Sequence, residues 1–114
     1  MDLESLEFPA FVKRLPRVDL PLEGVRAWLL QTERGQVVFF EADDRVTIPE
    51  HSHGDQWGVV LDGEVDLLVG RQVQTYKRGD SYYIPAGTPH AARLFKGSRA
   101  VDYFADQDRY RPRP

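Results

Sequence analysis

The chain predicts an all-β domain, a sandwich or barrel of antiparallel strands. Three observations point there. Eight to ten short runs rich in Val, Leu, Ile, Phe and Tyr follow one another from Gly24 onward. Turn residues interrupt them about every 8–12 residues. No stretch carries a convincing amphipathic helical period. Strands of this length and spacing bury one face each and must pack against a second layer. At 114 residues there is room for one domain and one core.

Residues 1–22 read as an N-terminal arm. Pro9, Pro16 and Pro21 break any long helix or central strand. Leu3, Leu6, Phe8 and Phe11 are expected to pack this arm on the body or on a second subunit. The barrel is assigned to residues 23–106. Val25–Leu30 and Gln36–Phe40 flank Glu33-Arg34-Gly35 and read as a hairpin. Val46-Thr47-Ile48 leads into a histidine-bearing stretch. Gln56–Leu61 is followed by Asp62-Gly63, a hairpin signal, and then by Glu64–Val69. Gly70-Arg71 turns the chain into Gln72–Tyr76, and Arg78-Gly79-Asp80 turns it again into Ser81–Ile84. The rigid loop Pro85-Ala86-Gly87-Thr88-Pro89 delivers His90. Two last strands, 91–95 and 98–104, are joined by Lys96-Gly97. Residues 107–114 read as a flexible basic tail, in which Arg109, Arg111 and Arg113 alternate with Tyr110, Pro112 and Pro114. Trp28, Trp57, Tyr82 and Tyr83 are expected to line the cavity or the core, with the core favoured.

Composition narrows the function classes. The chain is 41% hydrophobic and 29% charged, with a net charge of −3 whose signs are interspersed, so nothing argues for nucleic-acid binding. With no cysteine there is no thiolate ligand, disulfide or cysteine nucleophile. No apolar run approaches the roughly 20 residues that cross a bilayer. The acidic start Met1-Asp2-Leu3-Glu4 lacks the layout of a signal peptide, and a cytoplasmic protein is expected.

The stretch Glu50-His51-Ser52-His53-Gly54-Asp55-Gln56 holds two of the three histidines. On a strand, a spacing of two puts both imidazoles on one face, and His90 is the third candidate. Imidazoles suit first-row transition metals, and such a site also wants an oxygen donor. Asp55 and Gln56 are both near. An unbroken strand would favour Asp55, but Gly54-Asp55 looks like a turn, and strand parity does not choose between them.

Two blocks resemble the paired motifs of the cupin superfamily. Gly79, five residues, Pro85-Ala86-Gly87, two residues and His90 match its second motif through the histidine. His51-Ser52-His53 followed by Gly63 matches the core of its first. The fifteen residues between Gly63 and Gly79 equal the short spacing of small single-domain bacterial cupins. The resemblance implies a small antiparallel jelly-roll β-barrel. It also implies a divalent ion such as Mn, Fe, Ni or Zn on His51, His53, Gln56 and His90. Gln56 stands where the family usually has glutamate, and the gap from His53 is one residue shorter than the pattern. Arg45 and Leu94 replace a motif glycine and asparagine. A neutral amide in place of a carboxylate puts no anion on the metal.

In the last strand Asp102 is an acid among apolar residues, either facing solvent or set in the cavity as an acid, base or orienting group. Asp102-Tyr103-Phe104 followed by Arg109 resembles the end of small cupins that open the ring of unsaturated uronates. Here the arginine is displaced, with Asp108 in its expected place. The resemblance implies an anionic or hydroxylated small-molecule ligand, and the exposed edges of such a barrel with the proline-rich N-terminal arm lead us to expect a homodimer. It implies a sugar-acid isomerase or ring-opening enzyme, with a non-catalytic sensor or an Fe(II)-dependent dioxygenase as the alternatives.

Overall fold

The computed structural model describes residues 7–114, so Leu3 and Leu6 lie outside the described residues. Strands β1 (Val25–Thr32) and β2 (Gly35–Ala42) form the first hairpin, followed by β3 (Val46–His51), β4 (Gln56–Asp62) and β5 (Glu64–Val69). Then come β6 (Gln72–Lys77), β7 (Ser81–Ile84), β8 (His90–Leu94) and β9 (Arg99–Phe104). They build a five-stranded sheet of order β1-β2-β9-β4-β7 and a four-stranded sheet of order β3-β8-β5-β6. Every strand pair is antiparallel. The two sheets face each other as a jelly-roll barrel.

Alternation along the strands decides what fills it. In β2, Gln36, Val38 and Phe40 point inward, and in β9, Ala100, Asp102 and Phe104 do. Val38, Val60, Val65 and Phe104 are at most 2% exposed and meet between the sheets. Each such side chain contributes about 1.5–3 kcal/mol on burial. A four-residue helix, α1 (Ala10–Lys13), lies outside the barrel. There Phe8 and Val12 join Trp28 in a second cluster, with Phe39 and Val101 against it.

Two expectations are corrected. Asp62-Gly63 is no hairpin, because β4 belongs to the five-stranded sheet and β5 to the four-stranded one. It is a corner between sheets. The register of β4 against β9 shifts between Val60 and Asp62. Gly63 then turns at φ 71° with its Cα side closed by Ser98, which leaves no room for a Cβ.

Residues 107–114, expected to fray, form a strap instead. Val18 and Pro112 make an antiparallel bridge, and the Asp19 and Arg113 amides donate to the carbonyls of Arg111 and Arg17. The Tyr110 ring packs edge-on against Phe40 and Phe104. Fully buried Gln36 explains the strap's hold. Its Nε2 donates to the Tyr110 carbonyl at 2.8 Å and its Oε1 accepts from the Tyr110 amide at 2.9 Å. Gln36→Leu orphans both backbone groups, and we expect it to cost about 2–3 kcal/mol in denaturant unfolding. The same variant should be cleaved by trypsin after Arg109 much faster than wild type. Unchanged cleavage would show that the strap does not depend on Gln36.

Candidate metal centre

His51 closes β3 and His90 opens β8, and the two are register partners. The pairing slips between Ile48 and His51, and this irregularity sits around Pro49 on an edge strand, where proline is tolerated. His53 lies beyond the end of β3, in the link to β4. Strand parity is therefore not what aligns the two imidazoles, as the sequence suggested. The link does it: the Gly87 amide donates to the His53 carbonyl at 2.8 Å, tying it to the loop that delivers His90.

The ring centroids of His51, His53 and His90 stand 4.3–5.1 Å apart. One ring nitrogen from each lies within 4.8 Å of the other two. Each Nδ1 is 2.7–2.8 Å from a backbone carbonyl, that of Pro49 for His51, Gly54 for His53 and Thr88 for His90. A carbonyl only accepts, so each Nδ1 carries the hydrogen and each Nε2 keeps its lone pair. His53 Nε2 is buried without a partner. A buried acceptor left unpaired costs about 1–3 kcal/mol, so three neutral, oriented lone pairs fit a bound cation better than an empty core. Burial holds the His51 and His53 pKa values below 6.5, against their carbonyl bonds and with help from neighbouring positive charge, including Arg109.

The two oxygen candidates separate. Asp55 is exposed, and its Oδ1 accepts from Tyr83 Oη at 3.0 Å and from the Ala86 amide at 2.8 Å. It braces the loop before His90. Gln56 is buried, and its Nε2 donates to Asp102 Oδ2 at 2.6 Å. With the amide nitrogen committed to a carboxylate, its carbonyl oxygen is the atom left to offer a cation.

Asp102 faces inward at 2% exposure, and Tyr82 Oη donates to the same Oδ2 at 2.7 Å. Burial raises Asp102 to about 6, against the two hydrogen bonds that favour its charged form. Tyr82 is pushed well above its ordinary 10 by burial and then by the Asp102 charge, so it stays a donor. Gly58 gives the pair its space, since a Cβ there would collide with Asp102 Oδ2 and the Tyr82 ring. A glycine inside a strand was the visible sign of that close approach.

Two cavities meet here. An inner chamber of about 40 Å³ is lined by His51, His90, Gln56, Asp102, Tyr82 and Phe104 among others. A groove of about 570 Å³ adjoins it, sharing Phe40, Ile48, His51 and Tyr110, and carries Glu50, Asp108, Arg109 and Arg111. Arg109 stacks over the Tyr110 ring at 4.5 Å, and its Nε is buried without a partner. Reading the tail as solvated missed it. The strap that Gln36 holds is what brings it to the histidines.

Residues 36–97 match the cupin domain family, more than half of the chain, and the chain belongs to that family. No curated protein sequence matches it. Among solved structures it is similar to an RmlC-like cupin from Shewanella frigidimarina, at TM-score 0.72 and 19% identity over 92% of this chain and 96% of that one. It is also similar to KdgF from Halomonas sp., at 0.68 and 19% over 80% and 87%. The polyketide cyclase RemF from Streptomyces resistomycificus aligns at 0.69 and 16% over 94% and 85%. At these identities the likeness shows the fold.

Wild type should retain a divalent metal through dialysis, measured by elemental analysis, and His51→Ala and His90→Ala should each lose it and melt at the lower temperature of the metal-free protein. Gln56→Ala should weaken metal affinity while Asp55→Ala leaves it unchanged; the reverse order would hand the oxygen position to Asp55. For metal-free protein the pH sign follows from His51 and His53. Between 6.5 and their lower folded values the unfolded chain binds more protons, so stability falls as pH falls through that window. Urea midpoints at successive pH values between about 7 and 5 read this directly.

Proposed function

We propose that this cupin is a metal-dependent enzyme acting on a small hydroxylated carboxylate such as a sugar acid, as an isomerase or ring-opening enzyme. The observation that carries the reading is Asp102. Its carboxylate is buried in the same chamber as His51, His90 and Gln56, where a barrel built only to bind would need no ionisable group.

His51, His53, His90 and the Gln56 carbonyl oxygen would hold a divalent ion, which would supply Lewis acidity toward a hydroxyl or carbonyl oxygen of the substrate. The chain's own groups do the rest. Tyr82 and Gln56 fix Asp102 Oδ2, so the carboxylate is held at one angle and its other oxygen is not part of that pair of bonds. Asp102 then takes a proton from the substrate and returns it elsewhere, and a group lifted to about 6 suits both directions near neutral pH. The inner chamber alone is too small for a sugar acid, because small-molecule sites run to about 300 Å³ or more. The groove has that room. Its Arg109 offers a planar, permanently charged partner for a substrate carboxylate, which would leave the reacting end at His51 and Asp102. Phe104 and Tyr110 wall the chamber and limit water.

Metal-loaded wild type should turn over members of a panel of unsaturated uronates and keto-sugar acids. Asp102→Asn should keep its metal and lose activity by about 10²-fold or more. Arg109→Ala should raise KM for the carboxylate substrate with less change in kcat. If Asp102→Asn sheds the metal instead, Asp102 acts by orienting Gln56. Saturable ligand binding with no turnover of any panel member would leave the non-catalytic binding reading in possession.

A further inference from the structure

Five tyrosines stand in this chain, and the hydroxyls of four are bonded to the protein. Tyr76 donates to Gln74 Oε1, Tyr82 to Asp102 Oδ2, Tyr83 to Asp55 Oδ1 and Tyr103 to the Arg34 carbonyl. Tyr83 and Tyr103, with Trp57, lie on the outer face of the five-stranded sheet, 60%, 38% and 48% exposed. Tyr110 is the exception. Its ring is packed edge-on against Phe40 and Phe104, and Gln36 clamps its backbone at both polar groups. Yet among the described residues its hydroxyl has no hydrogen-bond partner. Nor is that oxygen walled in, unlike the orphaned Nε2 of His53. A packed tyrosine normally finds a partner for its O–H. Here a firmly held ring presents a free donor at a set position.

The place of Tyr110 between the two cavities says what that donor is for. The inner chamber and the outer groove share four residues, Phe40, Ile48, His51 and Tyr110. They form the neck that a molecule reaching from Arg109 in the groove to Asp102 in the chamber has to pass. Phe40 and Ile48 offer only carbon. His51 gives its Nδ1 hydrogen to the Pro49 carbonyl and keeps Nε2 for the histidine cluster. The Tyr110 hydroxyl is the hydrogen-bonding group of the neck that is still unused. Burial pushes this phenol up to about 12, against the nearby charge of Arg109 and with the help of Asp102. At neutral pH it donates.

We propose that Tyr110 determines the specificity of the site: its hydroxyl donates to an oxygen on the middle of the ligand, between the carboxylate at Arg109 and the end at Asp102. The inference rests on the reading of the site as one for a hydroxylated carboxylate, and it adds a rule of selection. The ligand must carry a hydroxyl or carbonyl oxygen on the carbons that lie in the neck. An acid with a plain hydrocarbon middle leaves the phenol unpaired once water is expelled, and that penalty falls on the wrong ligand alone. The two reading groups also keep a fixed span. Arg109 stacks over the ring of its own neighbour Tyr110 at 4.5 Å, so the strap offers a guanidinium and a phenol together. That pair suits a carboxylate with an oxygen close to it on the same molecule.

Two linear acids of equal length and charge test this, D-gluconate with hydroxyls along its chain and hexanoate with none. In calorimetric titrations of metal-loaded protein, Tyr110→Phe should weaken gluconate about tenfold and leave hexanoate unchanged or slightly tighter. Arg109→Ala should weaken both acids. Tyr110→Phe keeps the ring, so its melting temperature and its resistance to trypsin should match wild type. In wild type, gluconate but not hexanoate should perturb the tyrosine ultraviolet difference spectrum, and that signal should be missing from Tyr110→Phe. Equal losses for the two acids would assign Tyr110 to packing and overturn the proposal. So would an unchanged gluconate affinity in Tyr110→Phe, or a wild type that does not bind gluconate. These are binding measurements and stand apart from turnover. If gluconate binds through Tyr110 while no uronate or keto-sugar acid is turned over, the enzymatic reading fails and this inference survives. If those acids are turned over with the same kcat/KM by Tyr110→Phe, the inference fails and the enzymatic reading survives.

Discussion

Each of the three imidazoles gives its Nδ1 hydrogen to a backbone carbonyl no more than two residues away in sequence, and the character of the site follows from those bonds. A local bond of this kind is made by the chain itself, before any ligand arrives, and it fixes both tautomer and ring direction. Three lone pairs are then held in one place at one end of a barrel whose packed core is apolar and whose buried polar groups, Gln36, Gln56, Asp102 and Tyr82, are each hydrogen-bonded. The stability that tolerates them comes from elsewhere, from the Val, Leu and Phe side chains packed between the sheets. The capacity to hold a cation is therefore set where β3, β8 and the links beside them meet, and the packed sheets carry the cost of maintaining it.

Much of this was legible in the sequence, for a definite reason. Strand positions come from short apolar runs bounded by turn residues, and among the described residues eight of the nine strands lie within two residues of where those signals placed them, while β3 runs on three residues past Ile48 to His51. His51, His53 and His90 come together because two loops of fixed length end beside one another. What sequence could not supply was partnership at long range. Asp62-Gly63 announces a reversal of direction, yet turn chemistry says nothing about which sheet the next strand joins, and here the chain changes sheets. The basic, proline-bearing end looked solvated because its own residues are polar. Its anchor is a buried glutamine 74 positions earlier, and one amide in a strand does not advertise a partner at that distance. The assignment of Trp57 and Tyr83 to the core failed for a related reason: alternation gives two faces and does not say which one an aromatic residue takes.

Gly58, Asp102, Tyr82 and Gln56 behave as one unit. A strand interior loses stability at a glycine, and this barrel accepts that loss to let a carboxylate and a tyrosine ring share the space where a Cβ would stand. Both donors then converge on a single oxygen of Asp102. The result is a carboxylate whose direction is set and whose charged form is stabilised by hydrogen bonds, against a burial that opposes it. That balance is what separates this chamber from an apolar cavity with three histidines at its edge.

The same unit changes how the neutral glutamine should be understood. Taken by sequence, Gln56 in the place of a glutamate leaves a bound cation with no anionic ligand to offset its charge. In the fold the anion is present one hydrogen bond further out, because Asp102 stands directly behind the Gln56 amide. A carboxylate there polarises the amide, drawing on its N–H and making its carbonyl oxygen a better donor, as outer carboxylates do for metal-bound imidazoles. It also keeps the negative charge on a group that is not coordinated. A directly bound glutamate would be tied up by the cation and unavailable for proton transfer. Under the proposed function, an amide at Gln56 with the carboxylate moved back by one bond would allow a single acidic side chain both to balance a cation and to exchange a proton with a substrate.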